Sequence, residues 1–240
     1  MHQDSYSETR KGEMDMGLRA YMLKIYNYMA LGFSVTGVVA YFVTSNEQLL
    51  MAIMSTTILF WGLIIAQFGS VIFFAYRIKK MSPRVAQLTF WGYAALTGLA
   101  FSVVFAAYTF ESLARVFFIT AGTFGTMSLY GYISKRNLIG ISSLWMMGVV
   151  GLIIAAVVNI FMQSNALMFV TSVLGVLMFV VLTAYDTKKL KHMYYHVCQS
   201  ELTGSYAIVG ALTLRLDFIN LFFYCLRVFV RFLVRNVGKQ

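Results

Sequence analysis

Two carboxylates stand where apolar helices should hold none. Asp186 closes an apolar run in LTAYDTKKLK, and Asp217 lies inside another, in LTLRLDFINLF. A carboxylate in a membrane helix is expensive and marks a functional position by default. Two carboxylates brought side by side cannot both ionise cheaply, so they share a proton and make a pH-sensitive latch. The same oxygens suit a hard cation such as Ca2+, although two carboxylates are too few for a tight site. The chemistry is then that of a weak ion site on a leak pathway rather than of a calcium buffer. A plainer reading stands beside each: a structural polar contact for Asp217, and solvation beside Lys188 and Lys189 for Asp186.

The cations near this pair divide by position. Arg77 ends the second apolar run, on the membrane side expected for Asp186, where it either tunes the aspartates or snorkels to water. Arg215 is two residues from Asp217, about 200° around a helix, so the two side chains do not face each other. Arg227, Arg231 and Arg235 recur every four residues and read as an interfacial anchor to headgroups or water. His192 and His196 have the spacing of a helical metal pair, but Cys198 is the sole further ligand nearby, so an exposed interfacial pair is the expectation. Cys198 and Cys225 make no disulfide framework and read as small packing residues. The chain contains no zinc spacing, P-loop, GxGxxG or GxSxG motif and no serine-histidine-acid arrangement. The expectation is a protein that is not an enzyme and carries no cofactor.

The elements that must position these residues are legible in the composition. Of 240 residues, 60% are hydrophobic and 12% are charged, and the mean hydropathy is +0.74. Soluble domains carry about 25% charged residues, so a soluble globular enzyme is excluded, as is disorder. Seven apolar runs fall at 21–44, 51–76, 88–108, 113–133, 138–161, 166–186 and 206–230. Each is of the order of the ~20 residues a spanning helix needs. The expected fold is therefore an all-α membrane protein of seven transmembrane helices. Residues 1–20 form a short, mobile cytoplasmic arm without the apolar core of a signal peptide. Residues 21–235 form a single transmembrane domain, and 236–240 a short tail.

Charge sets the orientation. The net charge of +10 would suggest nucleic acid in a soluble protein. Here the basic residues fall between apolar runs, and no nucleic-acid partner is expected. Counted over the connections of the first six spans, twelve Lys or Arg lie on one side against Arg115 alone on the other. The positive-inside rule places the N-terminus in the cytoplasm. The seventh run breaks the rule if it spans, because Arg227, Arg231, Arg235 and Lys239 follow Asp217. Two readings remain: a re-entrant segment, or a span surrounded by the other six. Arg215 and Asp217 favour the second, because lipid would penalise both. Small residues leave a packing trace, with Ala94, Gly98, Ser102 and Ala106 along the third span and Gly122 and Thr126 along the fourth. Pro83, the lone proline, lies in a connection and kinks no span.

AYDTKKLK followed by ALTLRLDFINLFFYCLR resembles the Bax inhibitor-1 family, in particular its bacterial YccA-like branch. LDFINLF at 216–222 is the most specific piece, and LKIYNYMALGFSVTGVVAYF resembles the family's opening span. The likeness covers the chain from about residue 18 onward. It implies a seven-helix fold whose last helix is central and wrapped by the other six. It also implies a pH-sensitive calcium leak whose sensor is an aspartate pair, matching Asp186 and Asp217, with Arg77 matching a basic residue that exchanges ion pairing as the gate moves. Arg215 is a departure, since the family commonly holds an uncharged residue there, often tyrosine; an added cation alters gating or repels calcium. The alternative function is a non-transporting regulator that binds a membrane protease or another quality-control partner through the N-terminal arm and basic loops. An intramembrane aspartic protease is a weaker third reading. The resemblance favours a bacterial inner membrane, with the endoplasmic reticulum membrane as the alternative for a eukaryotic host.

Overall fold

The computed structural model of the chain describes residues 2–77, 82–135, 142–198, 200 and 202–237, with side-chain placement for most of 14–232. Among the described residues every regular element is an α-helix: α1 (His2–Ser45), α2 (Glu47–Ser55), α3 (Thr57–Arg77), α4 (Pro83–Ala107), α5 (Phe110–Ile133), α6 (Ser142–Met162), α7 (Asn165–Val197) and α8 (Thr203–Val237). Five of these are long and apolar enough to cross a membrane: α1, α4, α5, α7 and α8. The number becomes six if α2 and α3 together make one span. In α6 the apolar stretch with described side chains is Met146–Met162. Helices suit this setting because each satisfies its own backbone hydrogen bonds without water.

The helix boundaries follow local chemistry. Asn46 caps α2, its side chain accepting from the Leu49 amide. Ser82 caps α4 and Pro83 takes the first helical position, where its missing N–H costs nothing. The Ser164 hydroxyl accepts from the Leu167 amide at the start of α7. Gln163, just beyond α6, turns with φ 47°.

Three boundaries depart from the sequence reading. Residues 2–20 continue α1 as helix rather than forming a separate element. The apolar run 51–76 is divided, with α2 and α3 meeting at 83° around an extended Thr56. Ser55, Thr56 and Thr57 sit at that break, and the Ser55 hydroxyl bonds back to the Met51 carbonyl, the local competition that makes such residues poor helix interiors. The α7 helix runs to Val197, so five residues, not about twenty, separate it from α8. Leu190, Tyr194 and Val197 are buried along its last turns. This i, i+4, i+7 stripe makes the basic stretch an amphipathic helix. The predicted tail is helical to Val237. Lys79, Lys80, Arg136, Lys239 and residues 238–240 lie outside the described residues.

The chain divides into two compact units. The first is Met1–Thr109 with Lys191–Leu212. Its spine is α1 against α4. A Cβ added at Gly98 would stand 2.6 Å from Val39 Cβ and 2.8 Å from the Thr36 carbonyl oxygen. Beside it the Thr36 hydroxyl donates to the Ala94 carbonyl at 2.9 Å, and Thr44 reaches the Ser102 carbonyl at 3.4 Å. The stripe expected on the third span is thus an interface over Ala94, Gly98 and Ser102, whereas Ala106 is exposed. Gln67 of α3 donates to the Thr97 hydroxyl. Tyr21 meets Tyr194 with ring centroids 5.3 Å apart.

The second unit is Phe110–Leu190 with Thr213–Gln240. Here the expected stripe is on the wrong face. Gly122 and Thr126 are exposed, and a Cβ on Gly122 would meet nothing within 4 Å. The buried face of α5 is Leu113, Val116, Thr120, Phe124, Ser128 and Gly131. A Cβ on Gly131 would stand 2.2 Å from the Ala184 carbonyl oxygen, so this glycine permits backbone contact between α5 and α7.

Candidate functional site

Both site aspartates belong to the second unit. Asp186 sits 22 positions into α7 and is 8% exposed, and Asp217 sits within α8 and is 4% exposed. Their carboxyl groups lie within hydrogen-bond reach of each other. The second oxygen of Asp217, Oδ2, is buried and has no hydrogen-bond partner among the described residues. The reading of Asp186 as a solvated surface acid is corrected: the continuing helix and its neighbours cover it.

The neighbours on α5 hold the α7 half of the pair. The Ser128 and Thr187 hydroxyls are 2.9 Å apart and buried. Lys188 is also buried, 7% exposed, and its ammonium donates to the Ser134 carbonyl at 3.2 Å, at the C-terminal end of α5. That is where a helix dipole favours a cation. With the Gly131–Ala184 approach, these contacts seat three successive turns of α5 against α7 on either side of Asp186. Lys189 is exposed, rests 5.9 Å from the Tyr185 ring centroid, and is a cation whose field reaches both aspartates.

The sequence reading missed Ser128, Thr187, Lys188 and Lys189 as site residues. Lys188 and Lys189 were read as topology charges, a signal that does not separate a buried ammonium from an exposed one. Ser128 stands three residues before Gly131, a small-residue spacing that pointed to this face as fairly as Gly122 and Thr126 pointed to the other.

The remaining candidates are placed as follows. Arg215 is fully buried at 0% exposure and is among the largest side chains so covered. Arg77 ends α3, is exposed, and belongs to the first unit. Arg227 lies 5.8 Å from the Tyr224 ring centroid. Arg231 lies 5.0 Å from that of Phe169 and donates to the Asn165 carbonyl, so it fastens α8 to the start of α7 in addition to any headgroup contact. His192 and His196 are exposed on α7. Among the described residues no three of His, Cys, Asp and Glu converge as a metal cluster.

A chain of membrane-length helices that buries a touching carboxylate pair between two of them is a helical membrane protein with polar chemistry in its interior. Comparison with known proteins gives the family: the profile described as Inhibitor of apoptosis-promoting Bax1 matches residues 18–232, and the chain belongs to this Bax inhibitor-1 family. It is similar to an uncharacterized protein of Rickettsia prowazekii (strain Madrid E), 45% identical over 215 residues, covering 89% of this chain and 90% of that one. It is similar to inner membrane protein YbhL of Escherichia coli (strain K12), 42% identical over 215 residues, covering 89% and 92%. An uncharacterized protein of Caulobacter vibrioides is 39% identical over 225 residues, covering 90% of each.

Proposed function

We propose that this protein is a pH-sensitive calcium leak in a bacterial inner membrane, gated by Asp186 and Asp217. The observation that carries the reading is the contact of two buried carboxyls on two long apolar helices, with one Asp217 oxygen left without a protein partner. A proton bridging such a pair holds α7 and α8 together. Losing it leaves two charges that repel at close range in a medium of low dielectric. The helices then part, and a cation passing the site meets carboxylate oxygens. Arg77 is the proposed exchange partner of the released aspartate. The protein is neither an enzyme nor cofactor-dependent in this reading, and calcium is cargo held weakly.

The surrounding architecture belongs to the same proposal: seven spans with α2 and α3 together forming the second, α8 central, and the N-terminus cytoplasmic. The inner-membrane assignment is supported by the likeness to inner membrane protein YbhL and by the basic connections.

The test is calcium flux into proteoliposomes, scanned from about pH 5 to 8. Wild type and Asp217→Asn are compared side by side. A pH-dependent flux that the substitution flattens supports the leak; no flux above empty liposomes at any pH overturns it.

Arg215 favours a second reading. A fully buried cation two residues from Asp217 opposes the entry of calcium. A non-transporting regulator that engages a membrane protease through the N-terminal segment and basic connections would tolerate it. Deleting residues 1–18 should then abolish function in cells while Asp217→Asn leaves it intact.

A further inference from the structure

Between residues 213 and 224, α8 is buried on every side but one. The half-buried positions there are Thr213, Leu216, Asn220, Phe223 and Tyr224, a single stripe about 100° wide around the helix. The positions between them are buried, and one of these, Asp217, borders the stripe. Asn220 stands three residues beyond Asp217. Residues at that spacing are neighbours on one helix face, with about 5–6 Å between their Cβ atoms. A half-buried amide is thus set one turn from a buried carboxylate, inside an apolar helix.

That amide is held in place. Its Nδ2 donates to the Leu216 carbonyl at 2.9 Å. Because the partner is a carbonyl, the bonded atom is the NH2 group and the other is the oxygen. No described residue donates to that oxygen, Oδ1. Contacts with α7 show which way this face of α8 points. Asp217 meets Asp186 of α7. One turn beyond Asn220, the Tyr224 ring stacks on Phe179 of α7 with centroids 5.7 Å apart, and a Cβ added at Gly175 of α7 would stand 2.5 Å from that ring. Asn220 lies between these two contacts and within about 60° of both Asp217 and Tyr224 in helical projection. Its Oδ1 and the unpartnered Oδ2 of Asp217 are therefore acceptors without donors on one face. A hard cation takes carboxylate and amide oxygens together, and side chains three apart on one helix are a recurrent metal-ligand spacing in helical bundles.

We propose that Asn220 is a cation ligand: its Oδ1, oriented by the bond to Leu216, joins the carboxylates of Asp217 and Asp186 as a third oxygen donor for a hard divalent cation such as calcium. A neutral donor adds a bond to the ion without adding charge to the site, which suits a cation that must leave again. The ligand role deepens the leak reading and rests on it for the passage of the ion; binding is tested without flux.

The full chain in lipid nanodiscs is titrated with calcium chloride at about pH 8, where charged carboxylates are favoured, and the rise in melting temperature gives the half-saturating concentration. Asn220→Leu keeps the size and removes the oxygen. It should raise that concentration about five- to tenfold, the effect of one lost ligand. Asn220→Asp keeps an oxygen and adds charge, and should lower it severalfold. An amide with a structural role alone would change the melting temperature without calcium and leave half-saturation unmoved. Gel filtration establishes that each variant is folded. If Asn220→Leu does not fold, Asn220→Asp decides, and half-saturation at or above the parent's overturns the ligand. A folded Asn220→Leu protein that saturates like the parent overturns it as well, as does a parent that calcium does not stabilise, because water then completes these oxygens. Calcium flux in proteoliposomes separates the two claims. Half-saturation that follows Asn220, with no flux in any variant, upholds the ligand and overturns the leak. Parent flux whose calcium dependence Asn220→Leu leaves unchanged upholds the leak and overturns the ligand.

Discussion

At the scale of single residues, the proposed latch requires Asp186 and Asp217, which lie within hydrogen-bond reach, to act as one group: removing either carboxylate would remove the proton they are proposed to share. We expect Asp186→Asn and Asp217→Asn each to flatten the pH dependence of flux, and the double substitution to add little. Groups that act as a unit are strongly non-additive, and flux in the three variants measures this. Arg215→Tyr should raise calcium flux severalfold at every pH if its buried charge opposes cation entry, and unchanged flux would remove Arg215 from the permeation argument. Lys188→Met should destabilise by about 1–3 kcal/mol, because it leaves the Ser134 carbonyl without this buried, charged donor. Thermal unfolding in detergent reads that loss. The aspartates were legible in the sequence because burying a charge in an apolar helix is costly whatever surrounds it. The roles of Lys188 and Lys189 were not, since adjacent lysines on a helix point about 100° apart and only the packed neighbours decide which is covered.

At the scale of helices, glycine separates interface from lipid face. A Cβ on Gly131 would stand 2.2 Å from the Ala184 carbonyl oxygen, and one on Gly122 would meet nothing. Gly131→Ala should therefore destabilise by about 1–3 kcal/mol through overpacking. Gly122→Ala should be neutral or stabilise by up to about 1 kcal/mol, the ordinary helix preference for alanine. Equilibrium unfolding of the two variants in the same micelle checks the contrast, and equal effects would show that the α5–α7 approach is looser than described. Both glycines follow small-residue spacings, so composition alone treats them alike. What distinguishes them is which face of α5 meets another helix, a fact carried by residues more than fifty positions away. The division of run 51–76 has a similar cause. Hydropathy reads transfer from water and is insensitive to a Ser-Thr-Thr break whose Ser55 hydroxyl bonds the local backbone.

At the scale of the whole molecule, the prediction concerns topology. With seven spans the two termini lie on opposite sides of the membrane; with α2 and α3 not spanning as one, they lie on the same side. Reporter fusions that are active on one side only should place the N-terminus in the cytoplasm and the C-terminus outside. A cytoplasmic C-terminus would overturn the seven-span count. The charge asymmetry makes the N-terminal half of this prediction, because Lys and Arg resist translocation. The C-terminal half opposes that tendency, and it rests on α8 carrying Arg215 and Asp217 in buried positions that packing, not lipid, accommodates.

By itself the sequence determined the class of protein, the helical runs, the two expensive carboxylates and the family, since each follows from hydrophobicity, charge cost or residue identity along the chain. Tertiary structure alone decided that the two carboxyls meet within one compact unit, that Lys188 is buried while Lys189 is exposed, and that Gly131 rather than Gly122 lies at an interface. These are relations between segments distant in sequence. A helix specifies the angles between its own side chains, but not which of its faces another helix will cover.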